Sequence, residues 1–242
     1  ISKAIQAGQM SLEDKVTISK RAWKTPGSKM FVKEGQRVSV KELLKGLIVD
    51  SGNDACVAAA EYIAGNETNF ASLMNKQAKT LGMNNTNFTD STGLPDKNLY
   101  TTAKDLAILS RAVIKDFPEN YHWFKQKWFS FNGIKQPNRN RLLWRNPLVD
   151  GIKTGHTDKA GHTLIVSAKK DKMRLIAVIL GASSDAARAD AGQKLINFGF
   201  RFYETHKLYE PLKSITDTRV WKGKTNTLSL GLTNPLFLTI PT

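Results

Sequence analysis

Val149-Asp-Gly-Ile-Lys153-Thr154-Gly155-His156-Thr-Asp-Lys-Ala-Gly161 is the stretch on which the reading of this chain turns. It sets a cation, a hydroxyl and a glycine side by side at the start of a predicted strand. Two apolar runs follow, Thr163-Leu-Ile-Val166 and Leu175-Ile-Ala-Val-Ile-Leu180. They predict strands over 163–168 and 173–181, joined by a hairpin-like turn at Lys170-Asp171-Lys172 and followed by a helix over 185–198.

Upstream the pattern is helical. Ser39-Val-Lys-Glu42 is a capping box at the start of an apolar helix. Residues 55–63 read as a buried helix that Gly65 terminates, and Phe70, Leu73, Met74, Ala78 and Leu81 recur at helical spacing before Gly82. A helix over 102–115 stops near Pro118, and Phe129–Phe131 is a short strand before the turn Asn132-Gly133. Helices clustered ahead of strands predict an α/β (α+β) layered domain with a largely antiparallel sheet. Near Lys207 the pattern changes again. Val220-Trp221, Leu228-Ser-Leu230 and Phe237-Leu-Thr-Ile240 are short strand-like pieces between turn residues. The expected division is 1–207 for the first domain and 208–242 for the beginning of a second, all-β one, too small to be stable alone and read as cut at its C-terminal end.

Composition narrows the function. Lys and Arg number 36 against 21 Asp and Glu, a net charge of +15. Such a charge points to nucleic acid, anionic membrane or acidic polymers. The cations are scattered rather than blocked and no nucleic-acid-binding signature occurs, so no nucleic acid is expected as partner. A basic face near anionic lipid fits better. Cys56 is the one cysteine; it has no disulfide partner and sits among Ala55, Val57 and Ala58 as a small apolar residue. The four histidines show no ligand spacing, so neither a metal nor another cofactor is expected. No apolar run reaches the length of a membrane-spanning helix.

A second motif gives the first its meaning. Ser51-Gly52-Asn53 lies 102 residues ahead of Lys153, after the apolar run Leu43-Leu-Lys-Gly-Leu-Ile-Val49. Ser-x-Asn followed by Lys-Thr-Gly is similar to two of the active-site motifs of penicillin-binding proteins and serine β-lactamases. Longer stretches agree. Met74–Met83, Asn85-Thr-Asn-Phe88, Gly93-Leu94 and Thr102-Ala-Lys-Asp-Leu-Ala107 resemble the low-molecular-mass D-alanyl-D-alanine carboxypeptidases of the penicillin-binding protein 5 type, from about Ala4 onward. The resemblance implies a penicillin-binding protein/β-lactamase-like transpeptidase fold, followed by a small all-β domain.

It also implies a reaction: acyl transfer from a D-Ala-D-Ala peptide of peptidoglycan to a serine and then to water, blocked covalently by β-lactams. On that resemblance Ser51 relays a proton, Asn53 holds the substrate backbone, and Lys153 places positive charge beside Ser51. Thr154 donates to the substrate carboxylate, Gly155 leaves the strand edge open to an added strand, and the backbone N–H of His156 supplies half an oxyanion hole. Arg139 and Arg188 are the candidates for gripping a free C-terminal carboxylate, because the guanidinium fork matches one. The family's nucleophilic motif, Ser-x-x-Lys, occurs here only as Ser167-Ala-Lys-Lys170, in the wrong order and context. The expectation is a chain cut ahead of Ile1, working in the periplasm and attached to the inner membrane through a segment outside these residues. The alternatives are a β-lactamase or endopeptidase of the same fold, or an inactive module that holds peptidoglycan or penicillin. The loop Thr92–Tyr100 has no Glu placed as in class A β-lactamases, and Asp96 there reads as a turn residue.

Overall fold

A computed structural model describes all 242 residues. The chain opens with helix α1 (Ser2–Gln6), strand β1 (Lys15–Thr17), helix α2 (Lys20–Lys24) and strand β2 (Arg37–Ser39), which pairs antiparallel with β1. The predicted capping box is made: the Ser39 hydroxyl accepts from the Glu42 N–H and the Glu42 carboxylate accepts from the Ser39 N–H, starting α3 (Val40–Lys45). A single π-helical turn, Gly46–Asp50, extends it. Helices α4 (Asn53–Ala64), ended by Gly65 in the left-handed region, and α5 (Glu67–Leu81), ended by Gly82, follow as the glycines predict.

Helix α6 (Ala103–Asp116) is capped by the Thr102 hydroxyl, and Pro118 stands at the first position of the short α7 (Pro118–Tyr121). The expected strand and turn at Phe129–Phe131 and Asn132-Gly133 are present as part of a hairpin, in which β3 (Trp128–Phe131) pairs with a returning strand that the sequence reading did not include, β4 (Ile134–Pro137). After α8 (Leu142–Arg145) comes the main sheet, order β5-β6-β7, all antiparallel: β5 (Val149–Thr157), β6 (Gly161–Lys170), β7 (Met173–Ala182). Helix α9 (Asp185–Phe202) then packs across β6 and β7. Lys153 therefore lies in the middle of a long strand, not at the start of one as expected; pairing with β6 begins at Val149.

Two apolar cores result. One gathers Val38, Val40, Leu43, Ile48, Val49 and Val57 with Phe129 and Phe131, and it holds the helical lobe together. The other joins Leu164, Val166 and Ala168 of β6 to Ala189 and Ile196 of α9. Strand alternation sends Ser167 to the opposite face. There it is fully buried and accepts a hydrogen bond from Arg174, 2.6 Å away. Arg174 is in turn bound to Asp150 through both nitrogens. The lone Ser-x-x-Lys match is thus part of the sheet's packing.

Strands β8 (Tyr203–Tyr209), β9 (Ser214–Arg219), β10 (Thr227–Gly231) and β11 (Leu236–Pro241) pair as β11-β8 and β10-β9. Leu228–Leu230 and Phe237–Ile240 fall in strands as expected. Val220-Trp221 does not; it lies in the turn between β9 and β10, where Val220 N–H closes onto Asn226 O. No helix is long and apolar enough to cross a membrane.

Candidate active site

A cleft of about 980 Å³ opens between the two lobes, and all eight candidate residues line it. The helical lobe supplies Ser51 and Asn53 from the junction of the π turn with α4. Ser51 is in the left-handed region, φ 58° and ψ 35°, an unfavourable conformation for a residue with a Cβ. Strain of this kind persists only where surrounding contacts enforce it. Here the Ser51 and Gly52 N–H groups both close onto Gly46 O, and Asp54, completely buried just beyond, accepts from the backbone N–H groups of Met30, Phe31 and Ala55 at 2.8 to 2.9 Å. That fastens the 26–32 loop to the start of α4. A Cβ on Gly52 would lie 2.8 Å from both Asp54 Oδ1 and Met30 N, so only glycine fits between serine and asparagine. Asn53 completes the seam: its N–H donates to Ser28 O and its Nδ2 to Pro26 O, each at 2.8 Å.

The sheet lobe supplies Lys153, Thr154, Gly155 and His156 from β5, which is an edge strand with its outer side unpaired. Lys153 Nζ crosses the cleft and donates to Ser51 Oγ at 2.7 Å and to Thr154 O at 2.8 Å. It faces no carboxylate. Burial, with a further push from Arg139 and Arg188, pulls its pKa down to about 8. Thr154 is buried beneath it, while His156 is exposed. Gly155 is required by packing: a Cβ there would come within 2.7 Å of Thr163 Oγ1 on β6.

The arginines divide. Arg139 is exposed at the rim, carried on a turn that two buried asparagines fix. Asn138 Nδ2 donates to Gln126 O at 3.0 Å and Asn140 Nδ2 to Gly151 O at 3.1 Å. Arg188 also lines the cleft but is 6% exposed, and its guanidinium is engaged by protein: it donates to Gly155 O at 2.8 Å and Thr163 O at 3.1 Å, and pairs with Asp185. It locks α9 to β5 at the glycine. Asp96 accepts from Asn98 N–H at 2.7 Å, a turn contact as the sequence predicts.

Sequence reasoning missed several residues. Asp54, Asn138 and Asn140 act through backbone groups that come near only in the folded chain. Asp50, next to Ser51, is 2% exposed with one carboxylate oxygen unpartnered. Burial raises its pKa to about 7, opposed by Arg139. Cys56 reads as an inert apolar residue in the sequence; it lines the cleft, and burial pushes its thiol up to about 12, so it stays protonated.

Comparisons with known proteins identify the family. A family model described as D-alanyl-D-alanine carboxypeptidase matches residues 1–184, and the penicillin-binding protein 5 C-terminal domain matches 203–242. The D-alanyl-D-alanine carboxypeptidases DacC and DacA of Escherichia coli are 46% and 44% identical over the whole of this chain, which spans 62% of each. Among solved structures, penicillin-binding protein 5 of Haemophilus influenzae superposes with a TM-score of 0.93 at 45% identity, covering 99% of this chain and 71% of that one. Penicillin-binding protein D2 of Listeria monocytogenes, solved with ampicillin bound, gives 0.74 at 29% identity over 82% of this chain and 81% of that one. With the Ser51-to-Lys153 contact at the centre of a fold shared so closely, the chain belongs to the D-alanyl-D-alanine carboxypeptidase family.

Proposed function

We propose that this chain supplies the proton-relay and substrate-binding residues of a serine-type D-Ala-D-Ala carboxypeptidase, which removes the terminal D-alanine from peptidoglycan stem peptides and is acylated by β-lactams. The observation that carries the reading is the 2.7 Å contact of Lys153 Nζ with Ser51 Oγ, made from opposite lobes by a cation that no carboxylate neutralises.

An ammonium beside a hydroxyl favours the deprotonated oxygen, so Ser51 is set to pass a proton between the attacking serine's base and the leaving nitrogen. Asn53 faces the same space. Its Nδ2 is held by Pro26 O, which fixes the side-chain amide for contact with the substrate backbone. The free edge of β5 accepts the substrate as an added strand alongside Gly155. The His156 N–H then serves as one oxyanion donor, worth about 10²–10³ in rate. Thr154 and the exposed Arg139 receive the terminal carboxylate, while Arg188 contributes charge and holds the Gly155 carbonyl in place. The attacking serine belongs to the family's Ser-x-x-Lys motif, and the match at Ser167 is not a candidate for it.

The same proposal includes the division at 207/208, a few residues past the change from helix α9 to exposed strands at Tyr203, and action outside the cytoplasm at the inner membrane, supported by the excess of cations. The test uses the full gene product. It should release D-alanine from a peptide ending in D-Ala-D-Ala and be labelled by fluorescent penicillin. Ser51→Ala and Lys153→Ala should each lower D-alanine release about 10²–10⁴-fold, as for loss of a proton-transfer group. A full product that neither labels nor releases D-alanine overturns the reading.

A further inference from the structure

Two tryptophans at the rim of the cleft are kept out of the cores by the local sequence pattern. In β3 the alternation buries Phe129 and Phe131, so Trp128 faces outward. In α8 the buried positions are Leu142 and Leu143, which leaves Trp144 outside. The indoles are 46% and 42% exposed, yet both line the cleft that holds Lys153 and Arg139. Their centroids are 6.1 Å apart and their planes meet at 87°, so they form a corner. A lone exposed aromatic is ordinary, as Trp221 is; two placed edge to face at the mouth of a cleft mark a binding surface.

What lies over the rings defines the ligand. Lys135 Nζ is 5.0 Å from the Trp128 ring and Lys127 Nζ 5.9 Å from the Trp144 ring. Neither lysine forms an ion pair with an acid, whereas the nearby Arg141 is pinned by Asp185. Beyond their contact with each other, the rings therefore carry only exposed ammonium groups, a weak and displaceable cover at such sites. A pyranose matches it: its polarised C–H face stacks on an indole, and its oxygens accept from the displaced lysines. An acidic peptide would use the cations and leave two large aromatic faces without a role.

We propose that Trp128, Trp144, Lys127 and Lys135 form a saccharide subsite, taking an N-acetylated sugar of the glycan from which stem peptides project. This rests on the peptidoglycan reading above and extends the cleft outward from the peptide to the polymer.

The experiment follows the five indole N–H signals of the protein in ¹H–¹⁵N spectra, with Trp128→Phe and Trp144→Phe assigning the two in question. The probes are an N-acetylated disaccharide, a pentapeptide ending in D-Ala-D-Ala, and the same pentapeptide joined to the disaccharide. The disaccharide alone should move the Trp128 and Trp144 signals and leave Trp23, Trp123 and Trp221 in place. The joined ligand should bind on the order of tenfold more tightly than the pentapeptide, the usual scale for an interfacial tryptophan. Trp128→Ala/Trp144→Ala should erase that difference with pentapeptide affinity retained. A disaccharide that leaves both signals unmoved overturns the subsite. Loss of pentapeptide binding in the unaltered protein would instead count against the carboxypeptidase reading, so the two failures are separable.

Discussion

The two lobes hold their halves of the site by opposite means. In the sheet lobe Lys153 sits in the middle of a long strand, paired with β6 in continuous register from Gly151 to Thr157, and its position follows from the ladder itself. In the helical lobe Ser51 occupies a left-handed conformation at the end of a π turn, beside a seam that the buried carboxylate of Asp54, three residues on, ties to the 26–32 loop. The sheet gives position through many weak, redundant hydrogen bonds. The helical seam gives it through a few specific contacts: the Asp54 carboxylate, the two bonds of Asn53, and a glycine with no room beside it. A site whose reacting groups must meet at 2.7 Å thus joins a robust support to a vulnerable one.

This contrast is open to direct attack. The largest effect is expected from Asp54→Ala. Removing a charged acceptor strands several buried N–H groups, so urea unfolding should show a loss of about 3 kcal/mol or more. Penicillin labelling should fall with it, because the Ser51 turn loosens. The sheet's weak point is tighter but local. Gly155→Ala forces a Cβ against Thr163 Oγ1 and should cost about 1–3 kcal/mol. Thr163→Ala in the same chain removes the clashing atom and should restore most of the loss. If the double variant is no better than Gly155→Ala alone, packing is not the reason for the glycine.

Asp50→Asn should act in the other direction. Folding raises this carboxyl from 3.8 to about 7, so the folded chain binds more protons than the unfolded one between those values. Stability therefore falls as pH rises through that window. The neutral amide escapes the penalty. The variant should be more stable by about 1–3 kcal/mol at pH 8, with the gain gone below pH 4, as melting at the two pH values would show. A gain independent of pH would mean that ionisation of Asp50 is not its source.

The smallest effect separates binding from stability at one residue. The Lys153 ammonium is held down at about 8 from 10.5. Between those values the folded chain binds fewer protons than the unfolded chain, so stability rises with pH across that window. Affinity for a carboxylate ligand moves oppositely, falling up to roughly tenfold from pH 7 to pH 9 as the charge is lost. Titration of an acyl-D-Ala-D-Ala peptide at the two pH values, beside thermal melting, tests both signs. A common sign would mean that Lys153 does not govern the ligand's carboxylate.

Much of this was legible in the chain. Local chemistry writes helix ends directly. Ser39 and Glu42, Thr102, Gly65 and Gly82 fall where capping rules place them, because a cap depends on residues within a turn of each other. Strand pairing around Lys170–Lys172 was legible for the same reason. Val220-Trp221 misled, since two β-prone residues carry too little pattern to tell a strand from a turn.

Which residues could do chemistry is readable along the chain: Ser51, Asn53 and the Lys153–His156 run stand in motifs recognised by order and spacing alone. Tertiary structure alone decided how they are used. It brought Ser51 to Lys153 across 102 residues, turned Arg188 inward to carbonyls while leaving Arg139 free, and gathered Trp128 and Trp144 into one corner. The physical reason is range. Propensity and capping act over a few residues, whereas desolvation, charge neighbours and packing depend on atoms distant in sequence, and those set the pKa of Lys153 and the fit of Gly155.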